Sequence, residues 1–525
     1  MSERPLAAAP PAANEPPLAR HIARSSVAGI AARGVSIVGW TLLAPVLVRH
    51  LGRDRFGLWS LLTVIAGVYT TLDLGLTGAL TKFVAEYRAG ENARALRAVY
   101  STAVVAYGAL AVLVVAVVAA TRLALATRFH VPPALRGEAA VALVVAACVY
   151  GITSVYTLLA SVLGGLQRLD RWNQIAAVVT LVQLAGTAWV LTHGGGLLAV
   201  LAVAGVATLA GTVAVRVAIG RLAPEIRFDV RAIDASLLGR VSRYGLALQV
   251  VTLGVMAQWQ LDKVLFGAML SLALVGEFEL GYRLVQAVWS LPALLLPPLL
   301  PAMAHLDAAG DAERLRRLYR RASRYVLALA FPVSAGTIVL APIVFQAWLG
   351  PGHAQGALAA EALALMLGVN VLTGVGSAMA RGTGRPWMEA QYQMLALALH
   401  LAASLTLIPR FGFQGGLLAL VTSSAIGSLW FFVRVHRALD EPVGRFVVRI
   451  VLPAAAIAAL AAAIAGWAGG ARDPGLGGWT RATAIGHLAI GAAAMLATTA
   501  VGYAAARILR PAEVVELARI VRSRT

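Results

Sequence analysis

Apolar stretches of about 20 residues recur along the whole of this chain. No other feature limits the fold as much. A helix rises about 1.5 Å per residue, so a run of that length crosses the hydrocarbon core of a bilayer. The backbone finds no water there, and only helices or closed barrels satisfy it. The runs lack the apolar–polar alternation of barrel strands. The reading is an all-α polytopic membrane protein with about 14 transmembrane helices. They fall near 27–48, 57–80, 99–121, 139–163, 174–192, 196–215, 244–268, 272–303, 325–348, 357–379, 388–408, 412–433, 447–467 and 483–506. Composition agrees, with 59% hydrophobic and 13% charged residues, against about half and a quarter in soluble domains.

The net charge of +20 raises the question of nucleic acid, and its distribution argues for topology instead. Lys82, Arg88, Arg94 and Arg97, then Arg221, Arg227, Arg231, Arg240 and Arg243, then Arg314, Arg316, Arg317, Arg320, Arg321 and Arg324, and finally Arg507, Arg510, Arg519, Arg522 and Arg524 fall on one side of the spans. The loops at 193–196 and 267–271, on the other side, hold no Lys or Arg, although Arg49, Arg53 and Arg55 cluster there. A positive-inside pattern of this kind puts both termini in the cytoplasm. Residues 1–25 are polar and Pro/Ala-rich, without the apolar core of a signal peptide. They are expected to form a cytoplasmic N-terminal tail, and 509–525 a basic one. The lone Cys148 excludes an intrachain disulfide and a cysteine metal site.

Part of the chain repeats. Gly57 opens the second span, and Gly276, 219 positions later, opens the eighth. The same offset relates Leu96 to Leu315, Arg97 to Arg316 and Tyr100 to Tyr319. Six spans separate the copies, so both face the same way. This predicts two six-helix lobes related by a pseudo-twofold axis along the membrane normal, with a central site between them. The N-lobe is expected over 26–220, an amphipathic cytoplasmic linker over 221–243 and the C-lobe over 244–440. Helices 13 and 14 follow over 441–508.

An ionisable group inside the membrane is costly unless paired or hydrated, so each one is a functional candidate. They are Arg33 in span one, Asp73 in span two, Asp262 and Lys263 in span seven, Glu277, Glu279 and Arg283 in span eight, and Glu361 in span ten. Arg33 and Asp73 each lie about two turns from the cytoplasmic end, where they can meet. Glu279, Arg283 and Gln286 follow at i, i+4 and i+7 on one helical face. The polar faces of spans seven and eight suggest a hydrated cavity. Glu277 sits nearer the rim, where water is expected to solvate it. Prolines 292, 297, 298 and 301 should bend or unwind span eight. The histidines show no ligand spacing, and no metal or cofactor is expected. A phosphate-binding GxxxxGK[ST] loop is absent, as is any large loop with paired acids or a Ser/His/Asp set, which argues against an enzyme.

Two stretches then carry a resemblance. HLGRDRFGLWSLLTVIAGVYTTLDLGLTGALTKFVAEY at 50–87 resembles the first helix pair of polysaccharide exporters and Wzx-type lipid-linked oligosaccharide flippases. LDKVLFGAMLSLALVGEFELGYRLVQ at 261–286 is similar to their seventh and eighth helices. The elements matched are Leu51–Gly52, Phe56–Gly57, Asp73–Gly75, Asp262, Gly276–Phe278 and Arg283–Leu284. The resemblance covers about residues 26–440, within the multidrug/oligosaccharidyl-lipid/polysaccharide exporter superfamily. It implies a two-lobed alternating-access flippase in the bacterial inner membrane, moving an undecaprenyl-pyrophosphate-linked glycan for cell-surface polysaccharide such as the O-antigen of lipopolysaccharide. Partners would be membrane lipids, a polysaccharide polymerase and glycosyltransferases, with no nucleic acid. It would place Arg33, Lys263, Arg283 and Gln286 on the substrate in the cavity, the cations at its pyrophosphate. Asp73, Asp262 and Glu279 remain for H+ or Na+ coupling or for pairing. The rival readings are a cation-coupled multidrug antiporter of the same fold and a membrane enzyme of envelope glycan assembly.

Overall fold

The computed structural model describes residues 18–71, 76–234, 260–471, 473 and 475–508; side chains are described from Gly34 onward, apart from those of 65–71, 76 and 79. Asp73, most of span seven, part of the linker and the two tails therefore lie outside the described residues, as does the side chain of Arg33. The first half is α1 (Leu18–Thr71), α2 (Leu76–Ala89), α3 (Ala93–Arg128), α4 (Arg136–Gly165), α5 (Leu169–Thr192) and α6 (Leu197–Leu222). The second half runs through α7 (260–269), α8 (Leu272–Ala293), α9 (Leu299–Ala308), α10 (Ala312–Trp348), α11 (Ala354–Gly382) and α12 (Trp387–Ala438). Short α13 (Val443–Phe446) leads into α14 (Leu452–Gly469), and α15 (Arg481–Ala505) closes the described chain.

Ten helical segments among the described residues are long and apolar enough to cross a membrane. Two of the helices hold two passes each. In α1 the helical geometry breaks at Gly52 (φ 76°), and in α12 at Gly412 (φ 57°), just after Pro409. Only glycine enters that left-handed region without strain. Span seven is described only in part, and α8 carries more charge than an ordinary span. The sequence reading of about 14 passes is accounted for in this way. Prolines shape span eight as expected: α8 holds Pro292, ends at Ala293, and a turn leads to α9.

The repeat is visible in detail. Asn92 caps α3 by accepting a hydrogen bond from Ala95 N, and Asp311 caps α10 by accepting one from Arg314 N, 219 positions on. Before each cap stands a residue with positive φ, Glu91 at 52° and Gly310 at 68°. The backbone bonds of the two turns match one for one: Gly90 N to Glu86 O and Ala309 N to His305 O, Asn92 N to Tyr87 O and Asp311 N to Leu306 O. Behind the caps, Leu96 and Leu315, then Tyr100 and Tyr319, are buried.

Packing divides the molecule along its length. At the end away from the arginine clusters one apolar core runs through both lobes, joining Leu47, Phe56, Leu61 and Phe129 to Phe266, Leu272, Phe278 and Phe345. At the arginine-rich end the described residues of the two lobes form separate cores. One is built on Leu80, Tyr100, Tyr156 and Val215, the other on Met303, Tyr319, Tyr392 and Phe431. Among the described residues the lobes thus meet at one end and have separate interiors at the other. The α1–α8 crossing closes the joined end. A Cβ on Gly57 would collide with the Leu272 carbonyl, and one on Gly276 would lie 3.0 Å from Phe56. Two glycines related by the repeat therefore let the two backbones touch. Helices α14 and α15 pack outside the C-lobe on α10, through Ala461, Ala465 and Met495 against Ala335 and Val339.

Candidate functional site

Just inside the closed end, α8 carries Glu279 and Arg283 one turn apart, with Arg283 Nε 2.7 Å from Glu279 Oε1. From α7, Lys263 places Nζ 2.5 Å from Glu279 Oε2. Ser60 of α1 donates to the same Oε2 at 3.3 Å. The carboxylate is buried at 4% exposure and Lys263 at 2%. One acid thus serves two cations in a site too dry to leave them unpaired. Ser60 and Glu279 are also 219 positions apart. Residues exchanged by a twofold can touch each other only where the axis passes between them. The cluster therefore sits on the pseudo-twofold axis.

Both cations also meet aromatic rings. Lys263 Nζ lies 4.5 Å from the Tyr282 ring centre. Arg283 reaches into the N-lobe, with its guanidinium 5.0 Å from the Trp59 ring and 5.8 Å from that of Trp40, and donates to the Trp40 carbonyl at 3.4 Å. Cation–π contacts of this kind hold a positive charge without neutralising it. Two further bonds tie the lobes at this end: Trp348 Nε1 donates to Thr41 O at 3.1 Å, and Arg53 donates to Gly352 O at 2.7 Å.

Asp262 turns away from this cluster into the C-lobe, where Oδ1 lies 3.1 Å from His400 Nε2. His400 Nδ1 is 3.4 Å from Ser423 Oγ. Gln286 stays out of the ion cluster; it is exposed and donates to Tyr282 OH at 3.1 Å. Glu277 corrects the expectation of a solvated rim residue. It is 6% exposed, its Oε1 is 2.9 Å from His353 Nδ1, and its Oε2 accepts from Gly356 N at 3.0 Å. The first turn of α11 covers it and supplies an unpaired helix-end N–H, a favourable place for a carboxylate. The expected Arg33–Asp73 meeting lies outside the described residues.

The sequence reading missed His400, His353, Ser60, Trp40 and Trp59. His400 had a usable signal, being an ionisable group in the middle of the apolar run 388–408. Among the described residues no cluster of three or more His, Cys, Asp or Glu is arranged to hold a metal ion.

Known proteins can now be set beside this geometry. The sequence matches the profile of the family described as "Polysaccharide biosynthesis protein" over residues 18–306. No curated protein matches it. Among solved structures it is similar to the lipid II flippase MurJ in an inward closed conformation, with a TM-score of 0.68 and 12% identity over 92% of this chain and 99% of that one. It is similar to a multidrug resistance MATE family transporter of the MOP superfamily, inward-facing, with a TM-score of 0.65 and 14% identity over 77% of this chain and 94% of that one. A third is a MOP superfamily transporter from Pyrococcus furiosus, titled for the reverse polarity of its binding pocket, with a TM-score of 0.51 and 14% identity over 81% and 97%. At such identities these likenesses establish the fold, that of the MOP transporters. The profile match spans more than half of the sequence, and the chain belongs to the polysaccharide biosynthesis protein family.

Proposed function

We propose that this protein is a flippase that carries an undecaprenyl-pyrophosphate-linked oligosaccharide across the bacterial inner membrane for cell-surface polysaccharide assembly. The carrying observation is the charge count at the axis. Lys263 and Arg283 share the single carboxylate of Glu279, while Asp262 turns to His400, so two cations face one acid where the lobes meet. A diphosphate is a strong partner for such a pair, and a guanidinium matches its geometry best. The glycan and its pyrophosphate occupy the gap, while the polyprenyl tail stays in lipid. Rocking of the lobes about the α1–α8 crossing then opens the joined end. Arg33 is a further candidate cation for the headgroup and Gln286 a candidate contact to the sugar. Both termini lie in the cytoplasm, where a polymerase and glycosyltransferases are candidate partners, and the chain moves its substrate without altering it.

The rival is a cation-coupled multidrug antiporter, favoured by the likeness to the MATE transporter. Family membership weighs toward the glycan. So does extent, since the flippase fold matches 92% of this chain against 77% for the MATE fold. The test is deletion of the gene followed by analysis of lipid-linked glycans. Undecaprenyl-linked repeat units should accumulate on the cytoplasmic leaflet. Normal export without accumulation contradicts the proposal, and hypersensitivity to toxic cations instead supports the antiporter.

A further inference from the structure

The two halves of α12, on either side of Gly412, leave a row of apolar side chains uncovered. Met394, Leu401 and Leu405 of the first half and Leu418, Ile426 and Leu429 of the second are 41–54% exposed. In the first half the row has helical spacing. Trp387, Gln391, Met394, Leu401 and Leu405 stand at i, i+4, i+7, i+14 and i+18, on one face. Leu405 remains exposed beside Ile408, which belongs to the core that joins the lobes. At that level there is no gap to look into, so this face looks onto lipid.

At the arginine-rich end the row finishes in a different chemistry. The Arg434 guanidinium lies 5.3 Å from the Trp387 ring centre and 4.9 Å from that of Trp430. It donates to Gln391 Oε1 at 3.0 Å, which joins the two halves of the helix. None of these three partners carries a charge, so Arg434 keeps its own. Glu389 and Glu441 are taken by Arg381 and Arg320. Among the described residues no carboxylate forms an ion pair with Arg434. Arg385 and Arg437, both exposed, add to the positive charge two residues before Trp387 and three after Arg434. Tryptophans at the end of an apolar face mark the level of the lipid headgroups. The anion met at that level is a phospholipid phosphate, and a guanidinium fork matches it. Rings and amide already hold the fork, so little freedom is lost when its remaining donors meet the phosphate.

We infer that Trp387, Gln391, Trp430 and Arg434 form a binding site for one anionic phospholipid of the leaflet at the arginine-rich end. Its phosphate sits on the Arg434 fork and its acyl chains run along the exposed row of α12. The site lies outside the gap between the lobes and does not rest on the flippase reading. It belongs to one lobe. At the offset of 219 the N-lobe has Arg168, Trp172, Gly211 and Val215, which lack the second ring and the clamped cation.

The test titrates full-length protein in mild detergent with phosphatidylglycerol or phosphatidylcholine and counts bound lipid by native mass spectrometry, which reads folded protein alone. The first phosphatidylglycerol should bind more tightly than phosphatidylcholine. Arg434→Gln should weaken phosphatidylglycerol about tenfold and leave phosphatidylcholine unchanged. Arg434→Lys, which keeps the charge without the fork, should fall between the two. Trp387→Ala should weaken both lipids. Phosphatidylglycerol carrying a diazirine in its acyl chain should label peptides that hold Met394 or Ile426. An undiminished preference for phosphatidylglycerol in Arg434→Gln overturns the site, and so does label confined to other helices. Inorganic phosphate that binds as tightly as phosphatidylglycerol also overturns it, since the acyl chains would then contribute nothing.

Discussion

The two repeats share a scaffold and differ in chemistry. Their turns match bond for bond, from the caps Asn92 and Asp311 to the positive-φ residues Glu91 and Gly310. Their axis-lining residues do not match. At the offset of 219, Lys263 corresponds to Ala44, Asp262 to Leu43, Glu279 to Ser60 and Arg283 to Val64. The described charge of the site comes from the second repeat, while the first contributes Trp40, Trp59 and a serine hydroxyl. Folding constrains the turns, because each must reverse the chain and satisfy its helix end. The axis has no chain reversal to make, so one copy is free to become ionic while the other supplies the rings and backbone on which the ions rest.

Breaking the ionic side should cost most. Glu279→Gln takes the carboxylate from the buried Lys263 and the partly buried Arg283, a loss of about 3–5 kcal/mol. Its repeat mate behaves otherwise: Ser60→Ala removes one hydrogen bond and should cost about 1 kcal/mol. Thermal unfolding of the purified variants measures both, and equal losses would contradict an ionic centre in the second half. The crossing glycines come next. Gly57→Ala meets the Leu272 carbonyl, which cannot turn aside, whereas Gly276→Ala meets the Phe56 side chain. Overpacking of about 1–3 kcal/mol is expected at Gly57 and less at Gly276. A cysteine at Leu272, now 1% exposed, should label faster with maleimide in the Gly57 variant than in the Gly276 one. Smallest and equal are the caps: Asn92→Ala and Asp311→Ala should each cost about 1 kcal/mol, measured by the same unfolding assay. Unequal cap costs would break the shared scaffold.

Much of this scaffold is readable from residue order, because it rests on local rules. Run length gives the passes, the arginines give the common side of the loops, and Gly57 with Gly276 marks the repeat. The Glu279–Arg283 pair follows from helical spacing. What the sequence hides is tertiary. Nothing local tells Lys263 to choose Glu279, since its helix and α8 meet only in the fold. Glu277 reads as a rim residue until the first turn of α11 covers it. The contact between Ser60 and Glu279 needs the axis as well as the offset. His400 was within reach of the rule for intramembrane charges, but its pairing with Asp262, 138 positions earlier, was not.

The central claim is that the cationic pair of the second repeat binds a diphosphate lipid, and binding of undecaprenyl pyrophosphate to the purified protein tests it most directly. Arg283→Ala should weaken that binding by about tenfold or more, equivalent to about 1.4 kcal/mol, and Lys263→Ala should do likewise while Ser60→Ala stays near wild type. Wild-type affinity in folded Arg283→Ala and Lys263→Ala protein would contradict it.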